Sequence, residues 1–179
     1  MKGDIIVHAK ASNNYAKTLC IAFLLSAGVV YILSLYLPRF VGIVQLFAMA
    51  LLTAGLVFYT RYLAPKHAYE ITEDGDGTPI FSVRQTIGRR MSSLSMIALA
   101  DVISVTRLDR AAQKADKAPR DYKRYVYTPT FLPEAVTRLE VISRYEKAYI
   151  YIEVSEEFTA YLSEQVESAR ALRSDEIEE

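Results

Sequence analysis

Residues 18–37 read TLCIAFLLSAGVVYILSLYL, and residues 40–59 read FVGIVQLFAMALLTAGLVFY. Neither stretch contains a charged residue, and each is twenty residues long. An α-helix rises about 1.5 Å per residue, so twenty residues cross a hydrocarbon layer about 30 Å thick. The two stretches therefore predict two transmembrane helices.

The two residues between these stretches predict a sharp turn. Proline interrupts helical hydrogen bonding and arginine prefers water, so the chain is expected to reverse at Pro38 and Arg39. Such a short connection makes the helices antiparallel neighbours. Small residues that permit close helix packing, such as Gly28 and Gly55, occur in both.

Two other interpretations of the apolar stretches are less favoured. A cleaved signal peptide has a shorter apolar region and a cleavage pattern of small residues, which the sequence before Pro38 lacks. A helical hairpin inside a soluble core is the other alternative, but two consecutive uncharged stretches of this length disfavour it.

The positions of Lys and Arg predict the orientation. Basic residues flank the hairpin on both sides, whereas the turn has only Arg39; the flanking residues are Lys2, Lys10, Lys17, Arg61 and Lys66. The positive-inside rule places such flanks in the cytoplasm. We expect a multi-pass protein of the cell membrane with both termini cytoplasmic.

The remainder of the chain has the short alternating pattern of β-strands. Tyr and β-branched residues dominate these runs, which suits a half-buried sheet. The turn at residues 73–77 is rich in Asp and Gly, and the polar stretch 109–122 predicts a loop. Seven strands are expected, at residues 69–72, 80–86, 91–97, 102–108, 124–131, 137–143 and 148–154.

The last element is predicted to be an amphipathic helix. Ser155 is a favourable N-cap, and Glu156 and Glu157 complement the positive end of the helix dipole. Apolar residues then recur at spacings of three and four, from Phe158 to Leu172. The stripe predicts a helix that covers an apolar surface.

This order of elements resembles that of bacterial membrane proteins in which two transmembrane helices precede a pleckstrin-homology-like (PH-like) domain. The resemblance depends on the hairpin at 18–59, YEITEDGDG at 69–77, MIALADVISV at 96–105 and KAYIYIEVSEEFTAYL at 147–162. It implies an α+β membrane protein whose bent antiparallel β-barrel, of about seven strands, is closed by the C-terminal helix.

The expected organisation has four parts. A cytoplasmic segment, 1–17, precedes the transmembrane hairpin, 18–60, with its helices at 18–37 and 40–59. A cytoplasmic PH-like domain, 66–173, and an acidic tail, 174–179, follow.

The residue types argue against catalysis. No histidine follows His67, Cys20 is the sole cysteine, and no phosphate-binding, zinc-protease or hydrolase motif occurs. We therefore predict no enzymatic activity, no cofactor and no metal site. The formal net charge is +0 at pH 7, so nucleic acid is not an expected partner.

Basic residues are the main candidates for a binding site. Two groups contribute, one around residues 84–90 and one at 107–124, where seven basic residues face three Asp. Near an anionic leaflet each basic residue contributes about 1 kcal/mol of attraction. The alternative is a solvated loop that keeps the domain soluble. The candidates are Arg84, Arg89, Arg90, Arg107, Arg110, Lys114, Lys117, Arg120, Lys123 and Arg124.

PH domains that bind inositol phosphates carry a basic residue near their first turn. The corresponding turn here, at residues 73–76, is acidic and would repel phosphate. We therefore predict first a non-enzymatic, membrane-anchored interaction or scaffold module, whose partners are the bilayer and a protein or a second copy. Anionic head-group sensing through the basic loops and an accessory role in a transport complex are the alternatives.

Overall fold

The computed structural model describes residues 5–8, 14–75, 77–144 and 146–178, with side chains for all of these except 5 and 174–178. The chain forms two compact units. Ala11–Pro65 and Thr130–Leu132 make up the helical unit, whereas Met1–Lys10, Lys66–Pro129 and Pro133–Glu179 make up the β unit.

Two long apolar helices form most of the helical unit, as the sequence predicted. Helix α1 spans Asn14–Ser34 and helix α2 spans Val41–Phe58. A π-helical turn, Tyr59–Leu63, extends α2, and there the Ala64 amide donates to the Tyr59 carbonyl at 2.9 Å. Including this turn, both helices are long and apolar enough to cross a membrane.

The buried positions of the helical pair are all small, and they repeat at spacings close to a heptad. In α2, Gly55 lies where a Cβ atom would be 3.0 Å from the Leu24 side chain, so a larger residue would force that side chain to shift. The Cys20 sulfur lies 3.5 Å from the Gly55 carbonyl oxygen. The buried residues are Ala16, Cys20, Ala27, Ser34, Ala48 and Gly55.

The large apolar side chains of the pair are exposed. Only 17% of the apolar window of α1 and 11% of that of α2 is buried. Ile43 and Leu46, for example, are 72% and 73% exposed. A hairpin in a soluble core would hide these side chains, so this packing disfavours that alternative.

A short segment from the C-terminal half of the chain belongs to the helical unit. The ring of Phe131 lies 5.2 Å from that of Phe58 and 5.1 Å from that of Tyr62, edge to face. The sequence predicted that Phe131 ends a strand. That strand instead ends at Tyr127, because the chain leaves the sheet and Phe131 packs among these aromatic rings.

The first sheet of the β unit has the order β1-β2-β3-β4. Its strands are β1 (Ile5–His8), β2 (Pro65–Glu73), β3 (Pro79–Ile87) and β4 (Arg90–Ala98). Strand β1, which the sequence did not predict, is antiparallel to β2 with Ile6 opposite Glu70. The segments on either side of the helical pair are therefore neighbours in one sheet.

The second sheet has the order β5-β7-β8-β6. Its strands are β5 (Val102–Asp109), β6 (Lys123–Tyr127), β7 (Ala135–Ile142) and β8 (Lys147–Ile152). Strand β7 is antiparallel to both β5 and β8, whereas β6 is parallel to β8. A short helix, α3 (Arg110–Ala115), follows β5.

The predicted antiparallel barrel is wrong. Over its described residues, the β unit has two four-stranded sheets and no closed barrel. The difference arises in the connection at residues 110–122, which crosses the outer face of the second sheet and returns the chain at its far edge. A strand that enters after such a crossover can pair in parallel.

Helix α4 spans Glu156–Glu178 and confirms the predicted amphipathic helix. The Ser155 hydroxyl accepts from the Phe158 amide at 3.2 Å, as an N-cap does. Four buried residues, Phe158, Leu162, Val166 and Ala169, join a core that includes residues from both sheets. The helix continues through most of the segment that was predicted as an acidic tail.

A buried tyrosine connects strands of the two sheets. Tyr69 of β2 is 0% exposed, and its hydroxyl donates to the Tyr127 carbonyl at 2.8 Å. The same hydroxyl accepts from the Glu153 amide at 3.2 Å. Burial raises the pKa of Tyr69 far above its usual value of 10.0, which keeps the hydroxyl protonated.

Replacing Tyr69 by Phe should lower the free energy of unfolding by about 1–3 kcal/mol, because two part-buried backbone groups lose their bond to this buried hydroxyl. Urea unfolding of the full chain in detergent, followed by circular dichroism, measures this loss. Tyr161→Phe, on a half-buried ring of α4, is the matched control and should change stability by less than about 0.5 kcal/mol. Equal losses in both variants would contradict the role of the hydroxyl.

Candidate functional site

A network of polar contacts lies on the outer face of the second sheet. In β8, Ile150 and Ile152 point into the main core, whereas Tyr149 and Tyr151 point to the opposite face. The sequence predicted this alternation. Both tyrosines are nevertheless buried, because residues 110–122, here called the strap, cover this face.

Asp116 anchors the strap in its middle. One carboxylate oxygen accepts from the Arg138 guanidinium at 2.6 Å, and the other accepts from the Tyr151 hydroxyl at 2.9 Å. The side chains of Arg138 and Asp116 are 18% and 11% exposed, so this ion pair is largely shielded from water. Burial, followed by this hydrogen bond and the charge of Asp116, raises the pKa of Tyr151 to about 12.

Both ends of the strap are also held. At its start, Asp109 caps α3 by accepting from the Ala112 amide at 2.7 Å. At its end, the Tyr122 ring lies 4.9 Å from the Tyr149 ring, and the Tyr122 hydroxyl donates to Glu140 at 3.1 Å. The strap is therefore an ordered cover of the sheet: residues 110–115 are helical, and residues 116–122 form an irregular connection, as the predicted loop requires.

Cations and aromatic rings alternate under the strap. Arg124 lies 4.6 Å from the centre of the Tyr151 ring, and Arg138 lies 4.6 Å from the centre of the Tyr149 ring. Within the part of the chain that the structure describes, the buried Nε of Arg138 has no hydrogen-bond partner. Stacking and Asp116 therefore hold this guanidinium.

Four of the ten predicted site residues are engaged within the domain. Arg84 pairs with the buried Glu70 at 2.8 Å, and Lys123 pairs with Glu146 at 2.7 Å. Arg107 donates to the Val154 carbonyl at 3.3 Å, and Arg124 stacks on Tyr151. These contacts give the four residues structural roles.

The other six candidates are exposed and fall into two groups. Arg89 and Arg90 lie at the turn between β3 and β4, whereas the second group lies on the strap. Among the side chains that the structure describes, at 6–8, 14–75, 77–144 and 146–173, no ion pair involves any of the six. The strap group comprises Arg110, Lys114, Lys117 and Arg120.

Sequence reasoning missed the residues that hold the strap. Asp116, Arg138 and Tyr151 lie far apart in the chain, and only the crossover connection brings them together. One feature of the sequence could have indicated the strap: Tyr149 and Tyr151 lie on the same face of one strand. If both tyrosines are buried, another part of the chain has to cover that face of the sheet.

A cleft of about 320 Å³ lies where α4 approaches the first turn of the sheet. Its charged residues, Arg173 and Asp101, pair with each other at 2.7 Å. Over the described residues, no three His, Cys, Asp or Glu side chains group closely enough to hold a metal ion. The cleft is lined by Gly77, Thr78, Pro79, Ala98, Ala100, Asp101, Ala169, Leu172 and Arg173.

Comparisons of the chain with known protein families, with curated proteins and with solved structures found no match. The resemblance to bacterial two-helix membrane proteins therefore stays a prediction. Two apolar helices followed by a β-rich domain are the part of it that the structure confirms.

Replacing Asp116 by Asn should lower the free energy of unfolding by about 1–3 kcal/mol, because Arg138 loses its charged partner in a shielded site. It should also speed amide exchange in the strap. Urea unfolding and hydrogen exchange of the full chain in detergent measure the two effects.

The matched control is Asp121→Asn. Asp121 pairs with Lys147 at 3.1 Å, but both side chains are about half exposed, so water screens the pair. This variant should lose less stability than Asp116→Asn and leave the exchange of the strap unchanged. A larger loss for Asp121→Asn than for Asp116→Asn would contradict the anchoring role of Asp116.

Proposed function

We propose that this chain is a non-enzymatic, membrane-anchored interaction module, in which the helical unit spans the bilayer and the β unit is presented at its cytoplasmic face. One observation carries the proposal: the helical pair buries small side chains and exposes large apolar ones. Each large apolar side chain left in water forgoes about 1.5–3 kcal/mol of burial energy. A hydrocarbon environment removes that cost.

The pairing of β1 with β2 supports the proposed topology. These strands precede and follow the helical pair in the chain, and they lie next to each other in one sheet. Two crossings return the chain to the side from which it started. The excess of Lys and Arg on the flanks then assigns that side to the cytoplasm.

The scaffold role is supported by how the domain uses its polar groups. Asp116 binds both Arg138 and Tyr151, and Arg173 binds Asp101 in the cleft beside α4. Polar groups whose hydrogen bonds are made to one another stabilise the domain surface, and they are not positioned to react with a substrate. The module is the two-sheet domain described above, in place of the predicted PH-like barrel.

The helical pair also offers a surface for a partner within the membrane. A groove of about 450 Å³ runs between α1 and α2, and it is predominantly apolar. Small residues form its floor, which suits the close approach of another helix. Its lining comprises Leu24, Ala27, Gly28, Tyr31, Gln45, Ala48, Met49 and Leu52.

We propose that a second copy of the chain occupies this groove. Gln45 brings a side-chain amide to an otherwise apolar lining, and an amide both donates and accepts hydrogen bonds. Across a two-fold axis the same residue of a second copy can satisfy it. Gly28 leaves room beside the amide, since nothing lies within 4 Å of the position of its missing Cβ.

The anchoring proposal predicts how two engineered cysteines react in intact cells. In a Cys20→Ser background, a membrane-impermeant maleimide should label Arg39→Cys, in the turn, but not Glu164→Cys, on α4. After lysis it should label both. The chain should also stay in the membrane pellet at alkaline pH.

Other labelling patterns would contradict this topology. Labelling of Glu164→Cys in intact cells would reverse the orientation. Recovery of the chain in the alkaline supernatant would exclude the anchor. A Leu25→Lys, Leu46→Lys variant should weaken insertion, because each lysine near the centre of a helix costs about 2.5–3.5 kcal/mol.

The second-copy proposal predicts a dimer in proteoliposomes that dissociates on dilution in lipid. Gln45→Leu and Gly28→Leu should weaken it by about three- to thirtyfold, as expected when roughly 0.6–2 kcal/mol of interhelical interaction is lost. Ala22→Leu, on an exposed part of α1 outside the groove, is the control and should leave dimerisation unchanged. Energy transfer between labelled copies measures the association, and a monomer at every density would contradict the proposal.

A further inference from the structure

The turn between β3 and β4 combines exposed apolar and exposed basic side chains. Ile87 is opposite Arg90 in the last pair of the ladder, so Gly88 and Arg89 form a two-residue loop. Gly88 has a φ of 61°, as the first residue of a type II′ turn requires. The loop is therefore a tight tip with defined geometry.

The apolar residues of this tip are exposed. Ile87 is 48% exposed and lies directly before the loop, and Met91 is 66% exposed and follows Arg90. Side chains of this size gain free energy when they leave water. They contribute little to the core, because the buried part of β3 ends at Val83.

The charge of the tip has one sign. Arg89 and Arg90 are both exposed, and no carboxylate residue occurs between Arg84 and Ala100. Arg84 itself is neutralised by Glu70, which leaves the two arginines of the tip as the available cations of this hairpin. A surface that binds the two arginines should be negatively charged. If it also binds Ile87 and Met91, it should have an apolar layer below its charged groups.

The chain path places this tip at a particular end of the sheet. Strand β2 begins at Pro65, and only Ala64 separates it from the π-helical turn that extends α2. Strands β2 and β3 are joined by a tight turn in which the Asp74 amide donates to the Thr78 carbonyl at 2.8 Å, so they run in opposite directions. The β3–β4 tip therefore lies at the end of the sheet at which β2 begins.

We propose that this tip contacts the anionic leaflet of the bilayer, with Ile87 and Met91 entering the head-group region and Arg89 and Arg90 binding lipid phosphates. The inference rests on the proposed membrane anchor and adds a second, reversible contact to it. Basic residues near an anionic leaflet are attracted within a Debye length, and apolar side chains add a contact that salt does not screen. The strap, which has four exposed basic residues, has no comparable exposed apolar pair.

The absence of tryptophan from the sequence makes a direct test possible. Met91→Trp would provide a single fluorescent reporter in the full chain, reconstituted in nanodiscs with brominated acyl chains. Glu73→Trp, at the opposite end of the same sheet, is the matched reporter. With anionic lipid, quenching of Met91→Trp should be at least twofold greater than that of Glu73→Trp.

Charge variants in the Met91→Trp background separate the tip from the strap. Arg89→Ser with Arg90→Ser should reduce quenching at least twofold, whereas Arg110→Ser with Lys114→Ser should leave it unchanged. High salt or zwitterionic lipid should reduce quenching in the parent reporter.

Three results would overturn the inference. These are equal quenching of the two reporters, equal quenching in anionic and zwitterionic discs, or an equal loss in the tip and strap variants. A blue-shifted emission without lipid quenching would indicate that a protein covers the tip, and it would also overturn the inference. Failure of the chain to enter nanodiscs would instead count against the anchor, so the two failures are distinguishable.

Discussion

Helices α1 and α2 approach closely because Gly55 faces Leu24 with no side chain of its own. This contact is the constraint on which the rest of the helical unit depends. A pair held together by small residues buries little surface, so the large apolar side chains remain on the outside and require another apolar environment. The same arrangement leaves both helices with apolar outer surfaces, which is the feature on which the proposed membrane anchor rests.

The β unit is held by a few polar contacts in addition to its core. Tyr69 uses one hydroxyl to bind two backbone groups, and Asp116 uses one carboxylate to bind Arg138 and Tyr151. Each contact lies where water has little access, so the loss of one partner leaves another polar group unsatisfied. These contacts give the domain a defined surface, which suits a module that presents binding faces.

The basic residues show how the same residue type takes different roles. Arg84 and Arg124 have partners within the domain, whereas Arg89 and Arg90 extend from a turn flanked by apolar residues. The sequence analysis placed all of these residues among the candidates for one binding function, in two groups along the chain. In the structure, their neighbours separate structural cations from those that are available to a ligand.

The sequence by itself determined the two apolar helices, the turn between them, most strand positions and the capped C-terminal helix. Each depends on local chemistry: uninterrupted hydrophobicity, a proline, alternation, or the Ser155 cap. Only the tertiary structure decided the pairing of β1 with β2, the parallel pairing of β6 with β8 and the association of Asp116, Arg138 and Tyr151. Each of these features brings together residues that are distant in the chain. Which residues come into contact depends on the route that the connecting segments take, and no local sequence pattern records that route.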